Sequence, residues 1–332
     1  MHAHRAALSH PIAGKSLSLK VARDMYFLAD TLSLEIQRDM RYLPALLVIS
    51  MILVSCSPGS TGLNEQPNEG WQTDFFDDFD TFDTANWQDQ ILWVNNEDQC
   101  YVRDGEYGTR EVGDGTIKLK VISLAEPIEC DNVDKWGNKH PDTRYVAGRI
   151  ASKNRKEFVK GRWTARLKTW GNGQPGMFPA WWLLGARNNE PPVEEADENI
   201  CWPMTGSGEI DIFEHYGSGD PDHYTARTIK SLGECESLLP DGSVKPAGDW
   251  WTYQIGLEAT LDEYHEYSVE WSADTLIYRL DGVEAARQDS LGANYPEPMF
   301  AILNYAKISD APMEGEWVME VDWVKHEVWQ AQ

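Results

Sequence analysis

Hydrophobic and polar positions alternate with a period of two through much of this chain. Ile117, Leu119 and Val121 alternate with Lys118 and Lys120 directly after Asp114-Gly115, the pattern of a half-buried strand leaving a tight turn. Tyr267, Val269 and Trp271 alternate in the same way with Ser268 and Glu270. The run from Leu276 to Leu280 meets Asp281-Gly282 before Val283-Glu284-Ala285. That predicts a hairpin, because an Asp-Gly pair accepts the positive φ angles of a two-residue turn. In the last long run, Val318, Glu320, Asp322 and Val324 fall on one face, and Met319, Val321 and Trp323 on the other. From residue 71 onward no strong amphipathic helical stretch and no repeat of fixed period interrupts these strands, which Gly, Asp and Pro punctuate. The pattern predicts an all-β fold, an antiparallel sandwich or barrel.

A different pattern precedes it. Behind Arg41 the stretch from Tyr42 to Val54 is uncharged and apolar, too short for the roughly 20 helical residues that cross a bilayer but suited to a secretory signal. Leu53-Val54-Ser55-Cys56 resembles a bacterial lipobox, in which cleavage before Cys56 leaves that residue to be lipidated. An ordinary signal with a chance Cys, or a buried core helix, are the alternatives. Met40 is then the expected start: residues 1–39 lie upstream of it, 40–55 form a lipoprotein signal peptide, and 56–70, rich in Ser, Pro, Gly, Asn and Gln, form a flexible linker. Residues 71–332 remain as one domain of about 260 residues, a length that suits a large β fold. The protein is expected to be exported and lipid-anchored at the bacterial cell envelope, with Ser57 in place of Asp pointing to the outer membrane.

Charge separates the two parts further. The sequence has 29 basic and 54 acidic residues, a net of −25. Residues 1–55 hold six basic and four acidic side chains, a net of +2, so the remainder carries 23 against 50, or −27. Such a balance excludes a nucleic-acid binder, which needs a basic footprint on phosphates. It also disfavours densely sulfated polysaccharides, unless a cleft is locally basic. An apolar content of 42% with 15 Trp excludes disorder. After export Cys100, Cys130, Cys201 and Cys235 are expected in disulfides, for which three pairings exist. Pairing neighbours, Cys100 with Cys130 and Cys201 with Cys235, closes loops of about 30 residues worth roughly 3 to 4 kcal/mol each. No CxxC or His-spaced pair supports metal binding instead.

The candidate chemistry lies in Ser207-Gly208-Glu209-Ile210-Asp211-Ile212-Phe213-Glu214-His215, which puts three carboxylates within six residues of a strand-like apolar run. On a regular strand Glu209 and Asp211 share a face and Glu214 takes the other. A β-bulge at Ile212 and Phe213 would return Glu214 to their face. Glu209 and Glu214 would then be about four strand rises apart, roughly 13 Å between Cα atoms. Side chains leaning together close this to the roughly 5 to 5.5 Å that retaining glycosidases need. Asp211, between them, would hydrogen-bond one Glu and push their proton affinities apart. The alternatives are a solvated acidic edge strand and a Ca²⁺ site.

These residues resemble a known family. Glu209-Ile-Asp211-Ile-Phe-Glu214 looks like the ExDxxE signature of glycoside hydrolase family 16, in the bulged form of its laminarinases. Asp77-Asp78-Phe79-Asp80, Asn95-Asn96-Glu97, Gly148-Arg149-Ile150, Gly161-Arg162-Trp163, Phe178-Pro-Ala-Trp-Trp-Leu-Leu-Gly185 and Val321-Asp322-Trp323-Val324 follow in the family's order. The likeness spans nearly all of residues 71 to 329. It implies a jelly-roll β-sandwich with a concave substrate cleft, Glu209 as nucleophile, Glu214 as acid/base and Asp211 assisting. It also implies Trp182 beside the −1 sugar and sugar contacts from Asn96, Glu97 and Arg149, with a structural ion pair as the alternative for Arg149. Adjacent Trp181 and Trp182 face opposite ways on a strand, one into the core and one to the cleft, and Trp181, Trp202, Trp250 and Trp251 are candidate sugar contacts with core packing as the alternative. His223 is the nearest match to a cleft histidine, although its strand departs from the usual pattern, and His215 is expected to turn away from the cleft. A structural calcium held by Asp78, the Gly115 carbonyl and Asp322 is a further implication, while catalysis needs no cofactor.

The expected function is a retaining endo-acting hydrolase of β-glycans, with β-1,3-glucan (laminarin) preferred. The bulge disfavours the lichenase and xyloglucan-transferase branches. The alternatives are agarase- or carrageenase-like activity, transglycosylation through the same intermediate, and a surface carbohydrate-binding lipoprotein without catalysis. The expected partner is a polysaccharide, with no nucleic acid, membrane contact only through the lipid, and a monomeric state.

Overall fold

The structure, a computed structural model, describes residues 69–331 except 172, 218–219, 232–234, 236–249, 274, 290–294 and 310. The expected signal peptide, Cys56 and nearly all of the linker lie outside the described residues, as do the side chains of Trp250 and Trp251.

Two β-sheets account for the architecture, and no α-helix occurs among the described residues. The first sheet runs in the order β16 (Val283–Asp289), β15 (Thr275–Leu280), β14 (His265–Trp271), β9 (Gly161–Trp170), β18 (Trp317–Gln330), β5 (Thr116–Ile128), β6 (Thr143–Ala147) and β3 (Cys100–Tyr101). β1 (Gly70–Asp77) pairs with β18, and β4 (Arg110–Gly113) with β5. The second sheet runs β13 (Trp250–Glu258), β12 (His223–Ser231), β11 (Glu209–Glu214), β10 (Met177–Gly185), β17 (Met299–Lys307), β7 (Arg149–Ala151) and β2 (Gln88–Asp89), with β8 (Glu157–Phe158) against β17. Paired strands are antiparallel except for the short β3–β6 pair. This is the expected sandwich.

The core between the sheets follows the period-two pattern. Ile117, Leu119 and Val121 of β5 and Tyr267, Val269 and Trp271 of β14 all enter it. Asp281 and Gly282 take φ of 49° and 76° and turn β15 into β16, as the hairpin signal requires. The last strand departs from its expected single alternation. Trp317, Met319 and Val321 face the core, and after them Val324 does, because the register against β9 shifts between Val321 and Trp323. One extra residue at Asp322 moves the apolar phase by one position.

Two disulfides tie the periphery down. Cys100 bridges Cys130 and Cys201 bridges Cys235, with Cα separations of 5.7 and 5.4 Å, so neighbours in sequence are paired. The first anchors the connection between β5 and β6, whose Asn132 side chain also bonds the Tyr101 backbone in both directions. His140 in turn bonds the Glu97 carbonyl at 3.0 Å.

Candidate active site

The bulge expected from the carboxylate spacing is present. Against β12, Asp211 pairs with Arg227 but Glu214 pairs with Thr225, so Ile212 and Phe213 together oppose Ala226. Against β10, the register shifts between Trp181 and Trp182 for the same reason. Ile210, Ile212 and Phe213 pack into the core, and Glu209, Asp211 and Glu214 line one cavity on the other face.

Directly paired residues of neighbouring strands share a face, so the registers list what else looks into this cavity. One row reads Thr225, Glu214, Ala180, Asn304 and Arg149 across β12, β11, β10, β17 and β7. The next reads Arg227, Asp211, Trp182 and Ile302. The cavity has a volume of about 410 Å³. Five carboxylates (Glu97, Glu190, Glu209, Asp211, Glu214) and two guanidinium groups (Arg149, Arg227) line it, with Trp182, Trp202, Phe178 and Tyr216 as its aromatic walls.

Burial dominates the electrostatics. It pushes Glu209 up to about 8, with the charge of Glu214 adding to the shift and Arg227 opposing it. Glu214 is pushed up to about 7, again by burial, against the pull of Arg227 and hydrogen bonds from Tyr216 and Thr225. Asp211 is raised well above the usual carboxylate range by burial and by both neighbouring Glu charges. Asp211 and Glu209 are hydrogen-bonded, so one proton must sit between two groups that are otherwise only acceptors. In the state in which Asp211 holds that proton, Glu209 is ionised and receives the bond. The Tyr216 and Thr225 hydroxyls lie 3.4 and 3.5 Å from Glu214, and Arg227 Nε 3.9 Å from it. In that state the strand offers an ionised carboxylate and, farther along the same wall, a carboxylic acid.

On the other side of the carboxylates, Trp182 Nε1 donates to Asn304 Oδ1 at 2.8 Å, which fixes its ring plane. The Arg149 guanidinium sits 5.0 Å from the Trp182 ring centroid and donates through Nε to Gln90 Oε1 at 2.8 Å. Its Nη2 is buried without a hydrogen-bond partner, a donor available to a ligand hydroxyl. Burial pushes Glu97 up to about 7, while Arg149 and the 2.8 Å bond from Gln99 Nε2 pull it down.

Three expectations need correction. Trp181 is no sugar platform: it is fully buried and meets Trp163 edge-on at 6.0 Å, because it alternates with Trp182 onto the core face. Asn95, not Asn96, lines the cavity, both residues taking φ of 52° in a turn that strand alternation does not describe. His223 lies outside the cavity lining, with Nδ1 on the Asp220 carbonyl at 2.9 Å and its ring edge-on to buried His215. The two carboxylates of the implied calcium set have other partners here. Asp322 is engaged by Arg166, exposed Asp78 accepts the Asp80 amide, and no group of three carboxylates, imidazoles or thiols forms among the described residues.

Sequence reasoning missed Arg227, Asn304, Tyr216 and Glu190. The first two carried a signal: Arg227 is in phase with Thr225 on its strand, and Asn304 is the one polar residue of Phe300–Ala306 besides the Tyr305 hydroxyl. Tyr216 and Glu190 sit in connections, where no period applies.

Comparisons with known proteins agree with this geometry. The profile of Glycosyl hydrolases family 16 matches residues 109–325, more than half of the 332. The chain is 24% identical over 281 residues to Glucan endo-1,3-beta-glucosidase A1 of Niallia circulans, covering 77% of this chain and 37% of that protein. It is 21% identical over 270 residues to Endo-1,3-1,4-beta-glycanase ExsH of Rhizobium meliloti, covering 76% and 50%. This chain thus spans half or less of the length of these curated relatives. In fold it resembles the catalytic domain of an endo-1,3-beta-glucanase (laminarinase) from Thermotoga petrophila, at a TM-score of 0.60 and 19% identity, covering 80% of this chain and 100% of the other. With the family profile spanning both sheets and the three-carboxylate strand, this chain belongs to glycosyl hydrolases family 16.

Proposed function

We propose that this protein is a retaining endo-β-glucanase that cleaves β-1,3-linked glucan of the laminarin type. The observation that carries the reading is the bulge at Ile212 and Phe213, which turns Glu209, Asp211 and Glu214 to one wall of one cavity. Glu209 attacks the anomeric carbon, the bond from that carbon to the leaving oxygen breaks, and the Glu214 proton goes to that oxygen. In the second half, Glu214 takes a proton from water, the water oxygen attacks the same carbon, and Glu209 leaves as a carboxylate. One water is consumed for each glycosidic bond. Asp211 holds the proton that hydrogen-bonds Glu209 and keeps the nucleophile in its ionised form. Trp182 stacks on the sugar ring, and Arg149 Nη2 and Glu97 bond its hydroxyls.

The substrate class follows from charge and from the relatives. The net charge of −27 beyond residue 55 repels a polyanion, which favours a neutral glucan over a sulfated galactan. The names of the Niallia circulans and Thermotoga petrophila proteins point to β-1,3 linkages. The test is Glu209→Gln assayed for reducing-sugar release from laminarin. A folded variant slowed on the order of 10³-fold or more is expected, and unchanged turnover overturns the mechanism.

A further inference from the structure

Arg227 is not among the two carboxylates and the assisting Asp that a retaining mechanism requires, yet it is the one ion-pair partner of Glu214 among the described residues. β12 carries it opposite Asp211, in register with the carboxylate row. Its Nη2 donates to Gln254 Oε1 at 2.7 Å and to the Tyr216 hydroxyl at 3.3 Å, and Tyr216 is itself stacked on Phe178 at 4.4 Å. The guanidinium is therefore held in a frame, while its Nε is buried, has no hydrogen-bond partner and stands 3.9 Å from Glu214 Oε2. That distance is about 1 Å too long for a charge-assisted hydrogen bond. A buried donor left unbonded beside a carboxyl carries a desolvation penalty unless some state of the site satisfies it.

We propose that Arg227 is a positioning residue that governs the acid/base cycle of Glu214, its Nε standing free beside the protonated acid and closing onto the carboxylate once the proton has gone to the leaving group. The inference rests on Glu214 being the acid/base. In the first half-reaction the neutral acid is held by the Tyr216 and Thr225 hydroxyls. After proton transfer Glu214 is an anion in a buried, acid-rich wall, and the new bond from Nε offsets that cost until water returns a proton. The other groups facing Glu214 do not substitute for it. Glu209 and Asp211 on its own strand are acids, β10 presents Ala180 and Phe178, Asn304 of β17 carries no charge, and Thr225 and Tyr216 are neutral hydroxyls.

The test is the pH profile of kcat/KM on laminarin for Arg227→Met, Arg227→Lys and Gln254→Ala, beside Glu214→Ala with and without azide. Without the cation Glu214 binds its proton more tightly, so the alkaline limb of Arg227→Met moves up by about one pH unit, a tenfold change in the proton equilibrium. Arg227→Lys returns the limb toward the wild-type position. Gln254→Ala, which loosens the guanidinium from outside the cavity, shifts it upward by less and keeps the proposal testable if Arg227→Met fails to fold. Limb positions do not depend on the active fraction, so a structural effect that only lowers activity leaves them in place. An unmoved limb in both Arg227→Met and Gln254→Ala, or a downward shift, overturns the proposal. Azide restores turnover to Glu214→Ala if Glu214 is the acid/base. Failure of that rescue removes the underlying reading and is read separately from the Arg227 shifts.

Discussion

Glu209, Asp211 and Glu214 are three acids that burial makes reluctant to ionise, and the protein holds them together at the expense of its own stability. Below about pH 4.5 the Glu209 carboxyl is protonated in both folded and unfolded chains, so it carries no penalty. As pH rises toward about 8, the unfolded chain loses its carboxyl protons freely while the buried Glu209–Asp211 pair keeps the proton it shares, so stability falls across that window. Glu209→Gln removes the titration. Its Tm is expected to match the wild type near pH 4 and to exceed it by several degrees at pH 8, on the order of a few kcal/mol, while activity is lost. A gain of equal size at both pH values contradicts this account of the buried charge. Spacing made these three residues legible in the sequence, because carboxylates at such positions make sense only if they converge. Trp181 and Trp182 were separable for a similar reason, one of each adjacent pair having to face the core. Asn95 and Asn96 were not, since both lie in a positive-φ turn whose side-chain directions no strand pattern sets.

At the level of elements, β11 is the part on which the site depends. Its bulge could be anticipated from the five-residue step between Glu209 and Glu214, but its support from the distant Tyr295 could not. Gly208 lies against the Tyr295 ring, where an added Cβ would come within 2.4 Å of a ring carbon. The Tyr295 hydroxyl bonds Thr228 and donates to the Glu209 carbonyl at 3.3 Å, tying β11 to β12 at the residue that carries the nucleophile. Gly208→Ala is therefore expected to cost about 1 to 3 kcal/mol and to lower kcat on laminarin more than KM rises. A variant with wild-type Tm and kcat contradicts the role given to this contact. The break in β18 was illegible for a different reason. Its sequence alternates without interruption, and only pairing with β9 shifts the phase at Asp322.

Across the whole molecule, the sandwich was legible from period-two patterning and turn residues, whereas the contacts from connections that complete the cavity were not. Glu190 and Trp202 reach it from the segment between β10 and β11, and Val94 and Asn95 from the segment after β2. Long-range closure of this kind leaves no local period to read. The acidic surface, at −27 beyond residue 55, suits a domain held near a neutral polymer, and the lipobox-like Leu53-Val54-Ser55-Cys56 leads us to propose a tethered, exported protein. Full-length protein expressed in bacteria is expected to partition with membranes, and Cys56→Ala to release it to the soluble fraction. Undiminished partition of that variant removes the tether. A double displacement on β-1,3-glucan, as proposed, releases a product of retained configuration. In ¹H NMR of laminarin digestion by the wild-type protein, the β-anomeric signal of the new reducing end is predicted to appear first, with the α signal growing only as mutarotation proceeds. Initial formation of the α-anomer, which signifies inversion, would contradict the account.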